Sequence, residues 1–145
     1  MTPAILIDID GTLANIDHRL HFWHSKDYDA FDAAMHLDVP NSWCMTLIEK
    51  FKIDHKIFLI TGRLGKHRAI TQSWLIKHNI FHNGLLMLKP DDQRYLRDDI
   101  IKQELYNMYI RGIFSVSFIV DDRVHIVEMW RSMGLVCLAC TRGDY

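Results

Sequence analysis

The stretch Ala4-Ile5-Leu6-Ile7-Asp8-Ile9-Asp10-Gly11-Thr12-Leu13 decides how the rest of the chain is read. Apolar residues run up to Asp8 and read as a buried strand over residues 4–9. A carboxylate in the middle of a buried strand is costly, so Asp8 belongs where the strand emerges. Asp10 follows at i+2, which on an extended chain points to the same side. Gly11 then permits a sharp turn. The result is a carboxylate pair at the carboxyl end of a strand, where open α/β sheets bind their ligands.

Outward from this strand, apolar runs and helical patterns alternate. Lys56 to Ile60 is the second strand, closed by Thr61-Gly62-Arg63. Residues 66–78 have helical spacing, with Ile70, Trp74 and Leu75 inward and Asn79 as the stop. Leu85 to Leu88 is the third strand, and Lys89-Pro90-Asp91-Asp92 the loop after it. Asp98 or Asp99 opens a helix over about 99–110, with Ile100, Ile101, Leu105 and Met108 inward and Gly112 at its end. Ser115 to Val120 is the fourth strand, closed by Asp121-Asp122-Arg123. A helix carrying Val124, Val127, Met129 and Trp130 leads through Gly134 to a fifth strand, Leu135 to Ala139.

Residues 15–40 differ. They are rich in His, Asp and aromatic residues, show no strand pattern, and read as one or two short helices forming a lid-like insertion after the first strand. Asn41 or Ser42 is suited to cap a helix to about Phe51, with Trp43, Leu47, Ile48 and Phe51 on one face. Strands alternating with helices predict an α/β fold, a parallel sheet with helices on both faces. Right-handed crossovers bring the strand carboxyl ends to one edge. The economical organisation is one domain over residues 1–145 with residues 15–40 inserted in it.

The 145 residues suit a single core, and 49% apolar with 24% charged residues is ordinary for a folded domain. A formal net charge of -1 argues against broad coating of nucleic acid, although a strand end or a mononucleotide needs only local positive charge. No apolar run approaches the ~20 residues of a membrane span. The N-terminus has neither the basic flank nor the cleavage site of a signal peptide. Cys44, Cys137 and Cys140 are an odd number, which favours reduced thiols and a cytoplasmic location. Cys137 and Cys140 should face opposite ways on an extended segment, so buried structural thiols are expected instead of a metal site.

Three strand ends thus carry polar groups: Asp8 and Asp10, Thr61 and Arg63, and Asp121 and Asp122. Lys102 lies early in a helix that can point at the same edge. This set suits phosphoryl transfer through a carboxylate. An aspartate can attack phosphorus. Crowded carboxylates call for a divalent cation, and hard oxygen ligands with water left over describe Mg²⁺. Lys102, Thr61 and Arg63 supply donors for phosphoryl oxygens. Asp10 is placed to protonate the leaving oxygen and then activate water.

Asp8-Ile9-Asp10-Gly11-Thr12 resembles the first motif of the haloacid dehalogenase (HAD) phosphatases, and Thr61, Lys102 and Asp121-Asp122 fall in the order of its later motifs. Arg19, Thr61-Gly62-Arg63, Arg97-Asp98-Asp99-Ile100-Ile101-Lys102, Asp121-Asp122-Arg123, Val127-Glu128-Met129-Trp130-Arg131 and Arg142-Gly143-Asp144-Tyr145 further resemble the phosphatase domain of phage polynucleotide kinase. The resemblance covers nearly the whole chain and is weakest between Leu20 and Pro40. It implies a HAD-like Rossmannoid fold, with Asp8 as nucleophile and Asp10 as acid/base. It further implies metal binding by Asp8, the Asp10 carbonyl and Asp121/Asp122, chiefly Asp122, and substrate binding by Arg19, Gly62, Arg63 and Asp98. The implied substrate is a phosphorylated nucleotide or nucleic acid end, attacked at a 3′-phosphate. No Gly-rich loop ending in Lys-Ser/Thr occurs in the chain, so kinase activity is not expected of it.

Blander readings exist for each feature alone. Asp-x-Asp-Gly can be a turn, Lys102 a solvated lysine, and Asp98 an N-cap. The lid aromatics can simply pack against the core, although they also invite base stacking. His18, His21 and His24 lack the partners of a zinc site. Competing functions are a general (deoxy)nucleoside monophosphate phosphatase and a phosphate-accepting signalling domain. The latter would carry an acid after its third strand, where this chain has Lys89. Oligomeric state is not legible.

Overall fold

A computed structural model describes residues 1–141 and 145; of the Arg142-Gly143-Asp144-Tyr145 motif, only Tyr145 is among the described residues. Strand β1 (Thr2–Asp8) is the centre of a five-stranded parallel sheet. Its neighbours are β4 (Lys56–Ile60) on one side and β6 (Phe114–Asp121) on the other. Strands β5 (Gly84–Leu86) and β7 (Cys137–Ala139) form the edges, giving the order β5-β4-β1-β6-β7. Asp8 lies in register with Ile60 of β4, and Ile7 with Val120 of β6. The chain order reverses at β1, which makes a crevice at its carboxyl end.

The alternation of β1 builds two cores. Ala4 and Leu6 face one layer, which contains Ile101, Leu105, Ile126 and Trp130. Ile5 and Ile7 face the other, which contains Cys44, Ile48, Trp74 and Leu75. Helices α3 (Ser42–Phe51) and α4 (Arg68–Lys77) cover one face of the sheet, and α5 (Asp98–Tyr109) and α6 (Val124–Ser132) the other. The fold is the expected α/β sandwich. Asn79 ends α4 in a left-handed conformation, at φ 51°.

Several local expectations fail. The insertion is not strandless: β2 (Ala14–Asn15) and β3 (Val39–Pro40) pair antiparallel and pinch its two ends together. Each has only two residues, too few to leave a period in the sequence. Between them lie α1 (Leu20–His24) and α2 (Tyr28–Ala33). Met108, expected inward, is exposed, and so are Trp43 and Val124 on their helices. Each lies on the flank of an apolar stripe wider than the buried contact, and Cys44 takes the central place on α3. Asn41 precedes α3 without a side-chain cap; its Nδ2 donates instead to Thr12 O at 2.8 Å. Asp98 is likewise the first helical residue of α5 and not its cap.

Candidate active site

Beyond Asp8 the chain leaves the sheet and turns tightly. Gly11 takes φ 84°, and a Cβ there would collide with the Asp122 carboxylate. Asp8 is buried. Its Oδ1 accepts from Lys102 Nζ at 2.8 Å, and its Oδ2 from Thr12 Oγ1 at 3.0 Å. Lys102 reaches across from the second turn of α5 and also donates to Asp121 Oδ2 at 2.7 Å. Burial, together with Asp121 and Asp122, pushes the Asp8 carboxyl well above its ordinary value, against the pull of Lys102. For Lys102, burial acts to lower the ammonium, but Asp121 and Asp8 prevail and keep it charged.

Asp10 has different partners. Arg63 donates to it through Nε at 3.0 Å and Nη2 at 2.7 Å, and Arg19 through Nη2 at 2.6 Å. Burial raises its carboxyl, but Arg63 and then Arg19 outweigh that and hold it below the ordinary carboxylate range. Arg19 is itself gripped by Asp38, through Nε at 2.8 Å and Nη2 at 2.7 Å, and its guanidinium stacks 4.2 Å from the Phe31 ring centre. The two acids two residues apart therefore sit in opposite surroundings, because the strand ends at Asp8 and the turn swings Asp10 toward the insertion.

Asp8, Asp10, Arg19, Thr61, Gly62, Arg63, Asp98 and Lys102 all line one pocket of about 230 Å³. Asp121 and Asp122 are not in its lining but are buried beside Asp8. Thr61 Oγ1 accepts the Arg63 backbone N–H at 3.1 Å, which fixes the turn after β4. Asp8, Asp121 and Asp122 each offer an oxygen atom within 4.8 Å of the others. Asp122 Oδ1 is buried with no hydrogen-bond partner, the mark of an oxygen awaiting a cation. Both Asp121 oxygens are occupied, Oδ2 by Lys102 and Trp130 Nε1 and Oδ1 by the Asp122 N–H. Asp8 likewise has Lys102 and Thr12 on its two oxygens, so the donor set fits a hard divalent ion with Asp122 as the freest ligand. The Asp10 carboxylate lies outside this cluster and is held by arginines; its carbonyl is the ligand that the family resemblance implies. Its carbonyl faces Asp122, and the Tyr145 hydroxyl bonds to both.

Known proteins resemble this chain in sequence and fold. The family of the polynucleotide kinase PNKP phosphatase domain, a HAD family, matches residues 2–145. The chain belongs to it. A protein of Autographa californica nuclear polyhedrosis virus, named as a bifunctional polynucleotide kinase/RNA ligase, is 30% identical over 98% of this chain. A solved chain of a Pnkp1/Rnl/Hen1 complex is 31% identical over the whole of this chain, with a TM-score of 0.83. The chain spans 20% of that viral protein and 48% of that solved chain. A HAD-like hydrolase of Streptococcus pneumoniae shares the fold, with a TM-score of 0.67 at 13% identity. The chain is accordingly a phosphatase of the PNKP type with a HAD fold. Among the described residues no helix is long and apolar enough to cross a membrane.

Several residues of this PNKP-type site escape a sequence reading. Asp38 is fully buried, holds Arg19, accepts from His18 at 2.7 Å, and offers its carbonyl to Trp74 Nε1 at 2.8 Å. Its one sequence signal is an acid set between Leu37 and Val39 before Pro40. Thr12 and Tyr145 bond to Asp8 and Asp122; both stand in motifs that carry the family resemblance, but the sequence assigns neither a role. Of the aromatic residues in the insertion, Trp23, Tyr28 and Phe31 all line the pocket, Phe31 being buried against Arg19. Burial pushes the Cys44 and Cys137 thiols up to about 12, which fits inert thiols. Cys140 is half-buried, its Sγ 3.6 Å from Thr12 Oγ1.

Proposed function

We propose that this phosphatase removes phosphate from nucleic acid 3′ ends or nucleotide 3′-phosphates by forming an aspartyl-phosphate on Asp8, with Mg²⁺ as cofactor. The observation that carries the reading is the buried Asp8, bonded to Lys102 and Thr12 beside a cation-ready pair at the sheet edge. An Asp8 oxygen attacks phosphorus, and the bond to the leaving 3′ oxygen breaks. Asp10 gives that oxygen a proton. A water, losing its proton to Asp10, then attacks phosphorus, and the bond to Asp8 breaks to release phosphate. Lys102, Thr61 and Arg63 are suited to bind the phosphoryl oxygens. A divalent cation held by Asp8, Asp122 and the Asp10 carbonyl would supply charge neutralisation, favouring ionised Asp8 and screening it from the incoming phosphate.

The protein surroundings bias the two carboxyls in the reverse of the order that attack favours: burial and the neighbouring acids push Asp8 up, and Arg63 and Arg19 hold Asp10 down. Substrate accounts for the second half of that reversal. A phosphate that draws Arg63 away from Asp10 raises the proton affinity of Asp10 when an acid is needed. Residues 15–40 act as a lid in this reading, with Arg19 as its link to Asp10.

Two relatives bear names tied to RNA ligation and RNA repair, so RNA 3′ ends head the substrate panel. The test supplies 3′-phosphorylated RNA and DNA oligonucleotides, their 5′-phosphorylated counterparts and 3′- and 5′-mononucleotides, with Mg²⁺ or with a chelator. Mg²⁺-dependent release from the 3′-phosphorylated oligonucleotides is expected. Release confined to mononucleotides would favour a nucleotide phosphatase, a reading that the small pocket favours. No release from any 3′-phosphate overturns the proposal.

A further inference from the structure

Four Lys and Arg side chains line the pocket, at different depths. Arg19, Lys102 and Arg63 keep 1%, 4% and 5% of their side-chain surface, and each is tied to buried carboxylates. Arg123 keeps 20% and stands at the mouth. It directly follows Asp121-Asp122 at the start of α6. Its Nη1 donates to Asp98 Oδ2 at 2.8 Å, while its Nε is buried with no acceptor. Its guanidinium lies 5.5 Å from the ring centres of both Trp23 and Tyr145. Asp98 is close behind: a Cβ at Gly62 would come within 2.9 Å of its Cγ, so glycine there leaves Asp98 room. Segments from four parts of the chain thus converge to orient one guanidinium fork, and part of that fork is desolvated and unpartnered. An unmade bond of that kind is costly unless something else completes it.

We propose that Arg123 is a specificity-determining residue that binds the phosphodiester adjacent to the scissile phosphate. This rests on the 3′-end reading. The scissile phosphoryl group must descend to Asp8 on the pocket floor. The next anion along the strand then arrives at the mouth, where Arg123 is the one Lys or Arg among the described residues lining the pocket. A planar guanidinium suits bidentate capture of phosphate oxygens, and the aromatic contacts with Trp23 and Tyr145 limit its rotamers. Asp98 is a positioning residue in this arrangement. The site so built distinguishes a polynucleotide end from a mononucleotide, which lacks the second phosphate.

The test compares wild type and Arg123→Gln on a 3′-phosphorylated oligonucleotide and on p-nitrophenyl phosphate. A third substrate is the same oligonucleotide with a neutral methylphosphonate at the linkage next to the terminal nucleotide. Neutralising that linkage should raise the wild-type KM roughly tenfold or more. Arg123→Gln should raise KM on the charged oligonucleotide by a similar factor, with no further rise on the methylphosphonate, since both changes remove one contact. The loss of kcat/KM on the oligonucleotide should exceed that on p-nitrophenyl phosphate at least tenfold. Additive losses, or equal losses on both substrate classes, overturn the proposal and make Arg123 a strut between insertion and core. A wild-type KM indifferent to the methylphosphonate overturns it without any variant, whether or not Arg123→Gln folds. Wild-type turnover of p-nitrophenyl phosphate with none of either oligonucleotide fails the 3′-end reading itself, and with it this inference.

Discussion

Asp8 and Asp10 show how far two residues can diverge across one turn. Asp8 is crowded by Asp121 and Asp122 and relieved by one lysine, whereas Asp10 is clasped by two arginines. Their presence at a strand end, and that of Lys102 across the pocket, is legible because motif spacing and strand position are local. Asp38 is not legible in that way. Its importance comes from full burial against Arg19, and burial is settled by chain segments far from both. Asp8→Asn should lower turnover by roughly three orders of magnitude or more, because an amide does not attack phosphorus. The fold should persist, since Lys102 keeps Asp121 as its partner and a crowded buried carboxylate has been removed. Phosphate release together with thermal unfolding checks both halves. Appreciable residual turnover would rule out the covalent route.

At the scale of elements, the sheet is readable because each of its strands has a neighbouring helix with a clear apolar stripe. The insertion is not, because polar cross-links hold it more than periodicity does. Its ends are closed by β2 and β3, and its body is joined to the core by Arg19 with Asp10, by Trp74 with the Asp38 carbonyl, and by Asp32 facing His67. The last of these joints is imperfect. His67 Nε2 lies 3.5 Å from Asp32 Oδ2 and is buried without a hydrogen bond. Burial lowers its imidazole from the ordinary 6.5, against the opposing pull of Asp32. With the folded value below the unfolded one, the unfolded chain binds the extra proton as pH falls through that range. The stability from neutral His67 is therefore complete above 6.5 and declines below it. Urea midpoints taken from about pH 7 down to about pH 5.5 should fall more steeply for wild type than for His67→Gln. Parallel slopes would mean that the ring ionises as freely folded as unfolded.

For the whole molecule, the reversal of strand order at β1 gathers carboxylates and cations from segments spread over the entire sequence. Around the pocket, Asp8, Asp10, Asp32, Asp38, Asp98, Asp121 and Asp122 outnumber Arg19, Arg63, Lys102 and Arg123 by three. One divalent cation would offset most of that excess, and it would bind the folded chain alone, because unfolding scatters its ligands. Binding restricted to the folded state stabilises by mass action, about 2.7 kcal/mol at a hundredfold excess over the dissociation constant. Mg²⁺ should therefore raise the Tm of wild type by several degrees. Asp122→Asn separates this effect from general salt screening, because it acts with opposite signs in the two states. Without metal, the variant loses a buried carboxylate whose ionised form is disfavoured chiefly by burial, and the amide oxygen still accepts from Tyr145. Its Tm should then equal or exceed that of wild type. With Mg²⁺ the order should invert, since the variant has lost the freer of the two carboxylate ligands and gains little. Equal Mg²⁺-induced shifts in the two proteins would show that the ion is held elsewhere, and would remove Asp122 from the cation site.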